Sequence, residues 1–310
     1  MLEALTAGYP SVGIDVNPVA TLIAKVRTTP PTERLSDVAR QVAKTARERE
    51  PQVPEIPRLD HWFQSSVQRA LAQLVATVDE HVDSVTRDAL RVAISRIVVR
   101  VSNQESDTRY AAVSKNVSYD DVFSLFIKAA ESLSQALEAT FNTLLPLGPA
   151  PRILTRDVLE VQPEEIRREI GLVVTSPPYP NAYEYWLYHK YRMFWLGMDP
   201  LAVREAEIGA RPHYFRKNPA TEGDFERQLK QCFALLAQVM VSGGHACFLV
   251  GRSIIHGRVV DNATILKRAA AAQGFIIAGV ASREIRRARK SFNPANSAIE
   301  RESLLVFLRP

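Results

Sequence analysis

Leu172-Val173-Val174-Thr175-Ser176-Pro177-Pro178-Tyr179 is the stretch whose reading decides the fold. Its apolar start reads as a short buried strand. Two consecutive prolines then fix the backbone and delete two N–H donors, while both carbonyls remain. Upstream, Arg152–Thr155 reads as a strand ending near Asp157, and Glu164–Glu169 as a helical turn. Downstream, Phe225–Met240 is an amphipathic helix, Gly243-Gly244 a turn and Ala246–Val250 an apolar strand. Asn262–Gln273 is a helix closed by Gly274, and Phe275–Val280 and Leu304–Phe307 are strands. Strands alternating with helices predict an α/β sheet of largely parallel strands. The prolines then sit at the carboxyl edge of that sheet, where open α/β sheets bind ligands.

The N-terminal end continues the alternation. Residues 1–7 read as a short helix stopped by Gly8, and Ser11–Val16 as a buried strand that carries Asp15 at its end. Pro18 opens a helix with Ala20, Leu22, Ile23 and Val26 on its apolar side. Prolines 30, 31, 51, 54 and 57 then bracket a charged helical stretch. Residues 61–145 repeat apolar side chains at three- and four-residue steps, apart from a polar loop expected at 102–118. These features predict an α-helical insertion, 29–148, in an α/β domain made of 1–28 and 149–310. The insertion reads either as a target-recognition region or as a helical cap on the core.

Composition removes several classes. The chain has 310 residues, 46% hydrophobic, with a net charge of +5, a mild basic excess that fits a polyanionic partner without requiring one. Cys232 and Cys247 show no CxxC spacing and read as buried free thiols of a reducing cytoplasm. The six histidines form no HxH or HxxxH pair, so no metal site is expected. No apolar run approaches about 18 residues, so no membrane span is expected. The N-terminus has neither a basic stretch nor a hydrophobic signal core.

The inventory around Ser176 is rigid acceptors, a hydroxyl and an aromatic ring, with no strong nucleophile. That set suits the holding of an exocyclic amine. Such an amine is a poor nucleophile because its lone pair is delocalised into the ring. Acceptors on both N–H groups favour a more pyramidal nitrogen whose lone pair can face a methyl donor. A base must leave the duplex to reach such a pocket, and Tyr179 could stack on it. Catalysis would then be alignment and electrostatics. The competing reading is a plain proline turn.

Thr175-Ser-Pro-Pro-Tyr179, continued by Pro180-Asn-Ala-Tyr-Glu-Tyr185, resembles the catalytic motif of bacterial S-adenosylmethionine-dependent DNA amino-methyltransferases, especially the cytosine-N4 kind. Gly13-Ile14-Asp15-Val16-Asn17-Pro18 is similar to the segment following their glycine-rich cofactor loop, and Arg289–Pro294 with Glu302–Phe307 to the C-terminal end of one such group. The resemblance covers about 1–28 and 150–310. It implies a Rossmann-like methyltransferase sheet, N-terminally truncated, because the first strand and its glycine loop do not precede Asp15. Either the start is set too late or the gene product is truncated. It also implies a catalytic set of Ser176, Pro177, Pro178 and Tyr179, with S-adenosylmethionine as cofactor. Asp15 would hold the ribose hydroxyls, Asp157 the adenine amine, and Asn17 would be a cap or a weaker contact. Double-stranded DNA is the implied partner, a restriction endonuclease a further one, and the cytoplasm the implied place. Adenine-N6 or RNA amine methylation, or a non-catalytic DNA-binding remnant, stay open as alternatives.

Residues 179–195 hold eight of the chain's 24 aromatics. Tyr183 and Tyr185 are candidates to meet a flipped base, whereas Trp186, Phe194 and Trp195 read better as a helix face packed on the sheet. Arg283, Arg286, Arg287, Arg289 and Lys290 fall within eight residues, and Arg289 and Lys290 are the candidate phosphate contacts. Arg211, His213, Arg216 and Lys217 form a second basic segment with Tyr214 and Phe215.

Overall fold

The structure is a computed structural model in which residues 1–107, 109–143, 148–181, 184–284 and 301–310 are described. Tyr183, Arg286, Arg287, Arg289 and Lys290, with the segment through Pro294, lie outside the described residues.

In chain order the elements are α1 (Leu2–Thr6), β1 (Val12–Asp15), α2 (Pro18–Arg27), α3 (Leu35–Ala46), α4 (Leu59–Trp62), α5 (Ser65–Asp79) and α6 (Ser84–Val101). Then come β2 (Gln104–Ser106), β3 (Arg109–Ala112), α7 (Tyr119–Thr143), β4 (Arg152–Thr155), α8 (Pro163–Ile166), β5 (Ile170–Thr175), α9 (Tyr185–Trp195) and α10 (Pro200–Ala206). A 3-10 turn at Arg211–Phe215 precedes α11 (Glu222–Val239), β6 (Met240–Val250), β7 (Arg252–Ile255), β8 (Arg258–Asp261), α12 (Asn262–Ala271), β9 (Ile276–Glu284) and β10 (Arg301–Leu308). The result is a mixed α/β protein with small sheets.

The chain divides into two compact units, Met1–Thr155 with Trp186–Val203, and Arg156–Tyr185 with Arg204–Pro310. This cuts the sequence differently from an insertion at 29–148: the helices of that stretch cluster with 1–28 and with most of α9. The reason lies in one shared core. Leu22 and Val26 of α2 pack with Leu35, Val42, Leu71, Leu90, Ile94 and Phe126, and with Tyr191 and Trp195 of α9. Burying side chains of this size is worth about 1.5–3 kcal/mol each.

In the first unit β1 and β4 pair in parallel, from Val12 opposite Arg152 to Asp15 opposite Thr155. Trp195 meets Phe63 edge-on with ring centroids 5.5 Å apart, and Tyr191 stands 5.5 Å from both Trp62 and Phe63. The expectation that the Trp195 face of this helix packs on the sheet is therefore corrected: Trp195 packs into helical core. Arg192, nearly buried, donates to the Ser95 and Tyr188 carbonyls, both at 3.0 Å, and pairs with Asp107. The polar loop expected at 102–118 contains the β2–β3 hairpin. Its first strand, Gln104-Glu105-Ser106, is wholly polar and carries no strand signal.

In the second unit the strand order is β5-β6-β10-β9. β5 runs parallel to β6, whereas β10 is antiparallel to both β6 and β9. The largely parallel sheet expected from the alternation is here mixed, because apolar periodicity carries no strand direction. Phe233 of α11 packs on Phe248, Phe275 and Phe307 at centroid distances of 4.9, 5.3 and 5.3 Å, which covers one face. On the other face Leu172 is 62% and Val174 75% exposed. The strand expected to be buried is thus an edge strand, among the described residues, with one apolar face open. Gly243 and Gly244, expected as a turn, lie inside β6 where its register against β5 shifts.

Candidate active site

Asp15 closes β1. Its Oδ1 accepts the Asn17 backbone N–H at 2.8 Å. Asn17 is buried and N-caps α2, its Oδ1 accepting from Val19 N at 3.0 Å, with Pro18 in the first helical position. The helix cap is therefore Asn17, and Asp15 is left with one oxygen free of hydrogen bonds among the described residues. Asp15 as a whole is exposed, yet neighbouring atoms desolvate its carboxyl and raise its pKa, which the Asn17 N–H lowers in part. Thr155, opposite Asp15 on β4, shares a 2.7 Å hydroxyl contact with Thr21 of α2, which ties the helix to the strand pair.

Asp157 belongs to the second unit. Its Oδ1 accepts Leu159 N at 2.9 Å, a local turn. Desolvation raises its pKa, the Leu159 amide lowers it, and Glu160 raises it further. Burial, with a smaller contribution from Asp157, pushes the Cys232 thiol up to about 12, so this sulfur is unreactive at neutral pH. Both cysteines are free and only part-buried.

Ser176–Tyr179 follows β5 directly and is held by side chains distant in sequence. Ser176 Oγ donates to the Leu249 carbonyl of β6 at 3.2 Å. Tyr179 is 6% exposed, and its hydroxyl donates to Glu302 of β10 at 3.0 Å. Glu302 in turn pairs with Arg283 of β9 at 2.6 Å. The Tyr179 ring is therefore packed, with its hydroxyl keyed across the sheet. Pro177 and Pro178 are part-buried between these two fastenings.

Asn181 completes the loop and went unnoticed in the sequence. Its φ is +57°, in the left-handed region that asparagine tolerates best after glycine. Its N–H donates to the Gly209 carbonyl at 2.9 Å and its Nδ2 to the Ile254 carbonyl at 2.7 Å. Gly209 has φ +75°, and a Cβ there would stand 3.0 Å from Pro180 Cα, so glycine is required twice over. Glu207, 5% exposed, accepts the Tyr185 N–H at 3.1 Å where α9 begins. The signal for Asn181 was present, an asparagine directly after a proline turn. Glu207 carries no local signal, and Glu302 only its place at the head of the 302–307 stretch. Tyr185 itself is exposed, and burial raises the pKa of the neighbouring Glu184 against the opposing pull of Arg211.

Among the described residues no cluster of three His, Cys, Asp or Glu could hold a metal ion. No helix among them is long and apolar enough to cross a membrane.

No family model matches the chain. It is distantly related to a type II methyltransferase. That relative is M.MvaI of Kocuria varians, 24% identical over 200 residues, which cover 59% of this chain and 44% of that protein. The match thus spans less than half of the relative's length. Crystal structures of TTHA0409, a candidate DNA modification methylase of Thermus thermophilus, superpose with TM-scores of 0.27 and 0.29 at 17% and 19% identity. They cover 46% and 50% of this chain, and 45% and 52% of that one. These superpositions are too loose to define a shared architecture.

Proposed function

We propose that this chain is an S-adenosylmethionine-dependent DNA amino-methyltransferase, with a Rossmann-like sheet, that methylates cytosine N4. The supporting observation is the fastening of Ser176-Pro177-Pro178-Tyr179 at the end of β5. Ser176 spends its single proton on Leu249 O. A hydroxyl has one donor and two acceptor sites, so Ser176 keeps lone pairs to accept an amine N–H. The proline carbonyls are acceptors on a backbone that cannot rotate about φ. Together they orient the amine, and their benefit is positional, since nothing in the loop is a base or a nucleophile.

The two aspartates suit the cofactor's hydroxyl and amine donors. Asp15 and Asp157 each commit one oxygen to a neighbouring amide and keep the other. Asp15 would take the ribose hydroxyls and Asp157 the adenine amine, with Asn17 shaping the turn between β1 and α2. S-adenosylmethionine supplies the electrophilic methyl when bound. Tyr183 and Tyr185 are assigned to the extruded base, and Arg289 and Lys290 to phosphates. M.MvaI, a methyltransferase by name, lends support at the level of reaction class.

The deciding experiment incubates the 310-residue chain with duplex DNA and methyl-labelled S-adenosylmethionine, then digests the DNA to nucleosides. Label in N4-methylcytosine is expected. Label in N6-methyladenine overturns the base assignment, and label that enters RNA alone overturns the substrate. Absence of both transfer and cofactor binding, with DNA binding retained, overturns the enzyme reading in favour of a binding remnant.

A further inference from the structure

A closed circuit of contacts surrounds the proline loop within the second unit. From Asn181, one hydrogen bond goes to Gly209, just ahead of the Arg211–Phe215 turn, and another to Ile254 of β7. The turn leads to Ala220, whose N–H donates to the His213 carbonyl at 2.8 Å. The Ala220 carbonyl lies 3.1 Å from His256 Nε2 at the tip of the β7–β8 hairpin. That tip is the two-residue turn His256-Gly257, with φ of +48° and +77°, which matches the twist of a tight hairpin. Hairpin, basic turn and proline loop are thus one linked structure.

Exposed cations lie around it, with Arg252 and Arg258 on opposite faces of the hairpin and Arg252 directly across from Asp261. Arg211, Arg216, Lys217, Arg252 and Arg258 are all exposed. Arg216 is paired with Glu205 at 2.6 Å, but Lys217, Arg252 and Arg258 have no ion pair among the described residues. Phe215, in the same turn as Arg211, is 66% exposed, with the Arg211 guanidinium 5.3 Å from its ring centre. By contrast the helical stretch 29–148 has 14 Lys and Arg against 16 Asp and Glu. An exposed aromatic on a segment rich in exposed cations is surface chemistry that binds nucleic acid, phosphate by charge and base or sugar by ring contact.

We infer that this collar grips the DNA duplex beside the proline loop, with Lys217, Arg252 and Arg258 on phosphates and Phe215 against an unstacked base. The inference rests on the proposed function for the choice of polyanion. It assigns the main electrostatic contact to the hairpin and the 211–217 turn, and none to the helical stretch.

The test measures anisotropy of a fluorescein-labelled 20-base-pair DNA duplex as the 310-residue chain is added, between about 50 and 200 mM salt. The triple variant Lys217→Gln, Arg252→Gln, Arg258→Gln should flatten the log K against log salt slope by about 2 to 3. Phe215→Ala should weaken binding about tenfold with the slope unchanged. Lys44→Gln, Arg100→Gln, Lys128→Gln, three exposed cations of the helical stretch, should leave the slope as in the parent. Equal slopes for the two triple variants overturn the inference, as does tighter binding of an RNA duplex of the same sequence. A flattened slope in the collar variant of a parent that transfers no methyl upholds the collar and removes the catalytic reading. Transfer with unaltered slope in the collar variant does the reverse.

Discussion

At the carboxyl end of β1 the polar side chains serve the backbone within a few residues: Asp15 accepts from Asn17, and Asn17 from Val19. At the carboxyl end of β5 they reach across the chain, Ser176 to Leu249 over 73 residues and Tyr179 to Glu302 over 123. The two strand ends carry comparable polar cargo but depend on different things. The first turn closes as soon as α2 starts. The second takes shape only when β6 and β10 are already in place. A loop held from elsewhere can be stiff without being stable by itself, and stiffness is what alignment of a weak nucleophile requires.

The largest effect should come from severing the longer tie. Tyr179→Ala removes a buried ring and is expected to cost about 3–5 kcal/mol in urea denaturation, with methyl transfer lost. Tyr179→Phe keeps the ring and should cost about 1 kcal/mol, the worth of one hydrogen bond. Equal midpoints for parent and Ala variant would show that the ring is not held as described, and the contrast between the strand ends would go with it. Asn181 comes next. Asn181→Ala loses the bond to Ile254 and strains a positive φ, for about 2 kcal/mol, while Asn181→Gly loses only the bond and should be the milder change. The reverse order would mean that φ is relaxed there.

The near end should answer more gently and more separably. Asn17→Ala removes a helix cap and should cost about 1 kcal/mol of stability. Asp15→Asn should leave the unfolding midpoint in place at acid pH and weaken S-adenosylmethionine binding, read by calorimetry, by about tenfold, as one charge-assisted bond pair is lost. If the Asn17 variant lost cofactor while the Asp15 variant kept it, the two roles would have to be exchanged.

The same contrast explains what could be read in advance. β4 at 152–155, the start of α2 at Pro18 and the position of Ser176-Pro177-Pro178-Tyr179 after a strand are all local signals, carried by proline, caps and apolar runs. The β2–β3 and β7–β8 hairpins escaped because Gln104-Glu105-Ser106 is wholly polar and the His256-Gly257 turn is not an Asn-Gly or Asp-Gly pair that marks a hairpin. β6 begins at Met240, six residues before its apolar run, because Gly243 and Gly244 are held by Arg309 through backbone bonds of 2.7 and 2.8 Å. Trp195 went to the helical core and not to a sheet because amphipathicity specifies that a face is buried, never against what. Glu302 and Glu207 acquire meaning only from partners that folding brings.

The smallest effect concerns protonation, and its sign separates the carboxylates from an ordinary paired acid. Desolvation raises the pKa of both Asp15 and Asp157 above the usual aspartate value. Between that usual value and the raised one the folded chain binds more protons than the unfolded chain, so stability falls as pH rises through this window. An aspartate held by a cation would behave oppositely. Asp15→Asn and Asp157→Asn should therefore each raise the unfolding midpoint slightly at neutral pH, and the gain should vanish once the medium is acid enough to protonate the carboxyl in both states. Denaturation of parent and variants at pH 7 and at pH about 3, below the usual aspartate value, reads this directly. A gain that persisted at the lower pH would trace to packing and not to charge. A loss at neutral pH would mean that the spare carboxylate oxygen already has a favourable partner, which would leave it poorly placed to receive a ribose or an adenine amine.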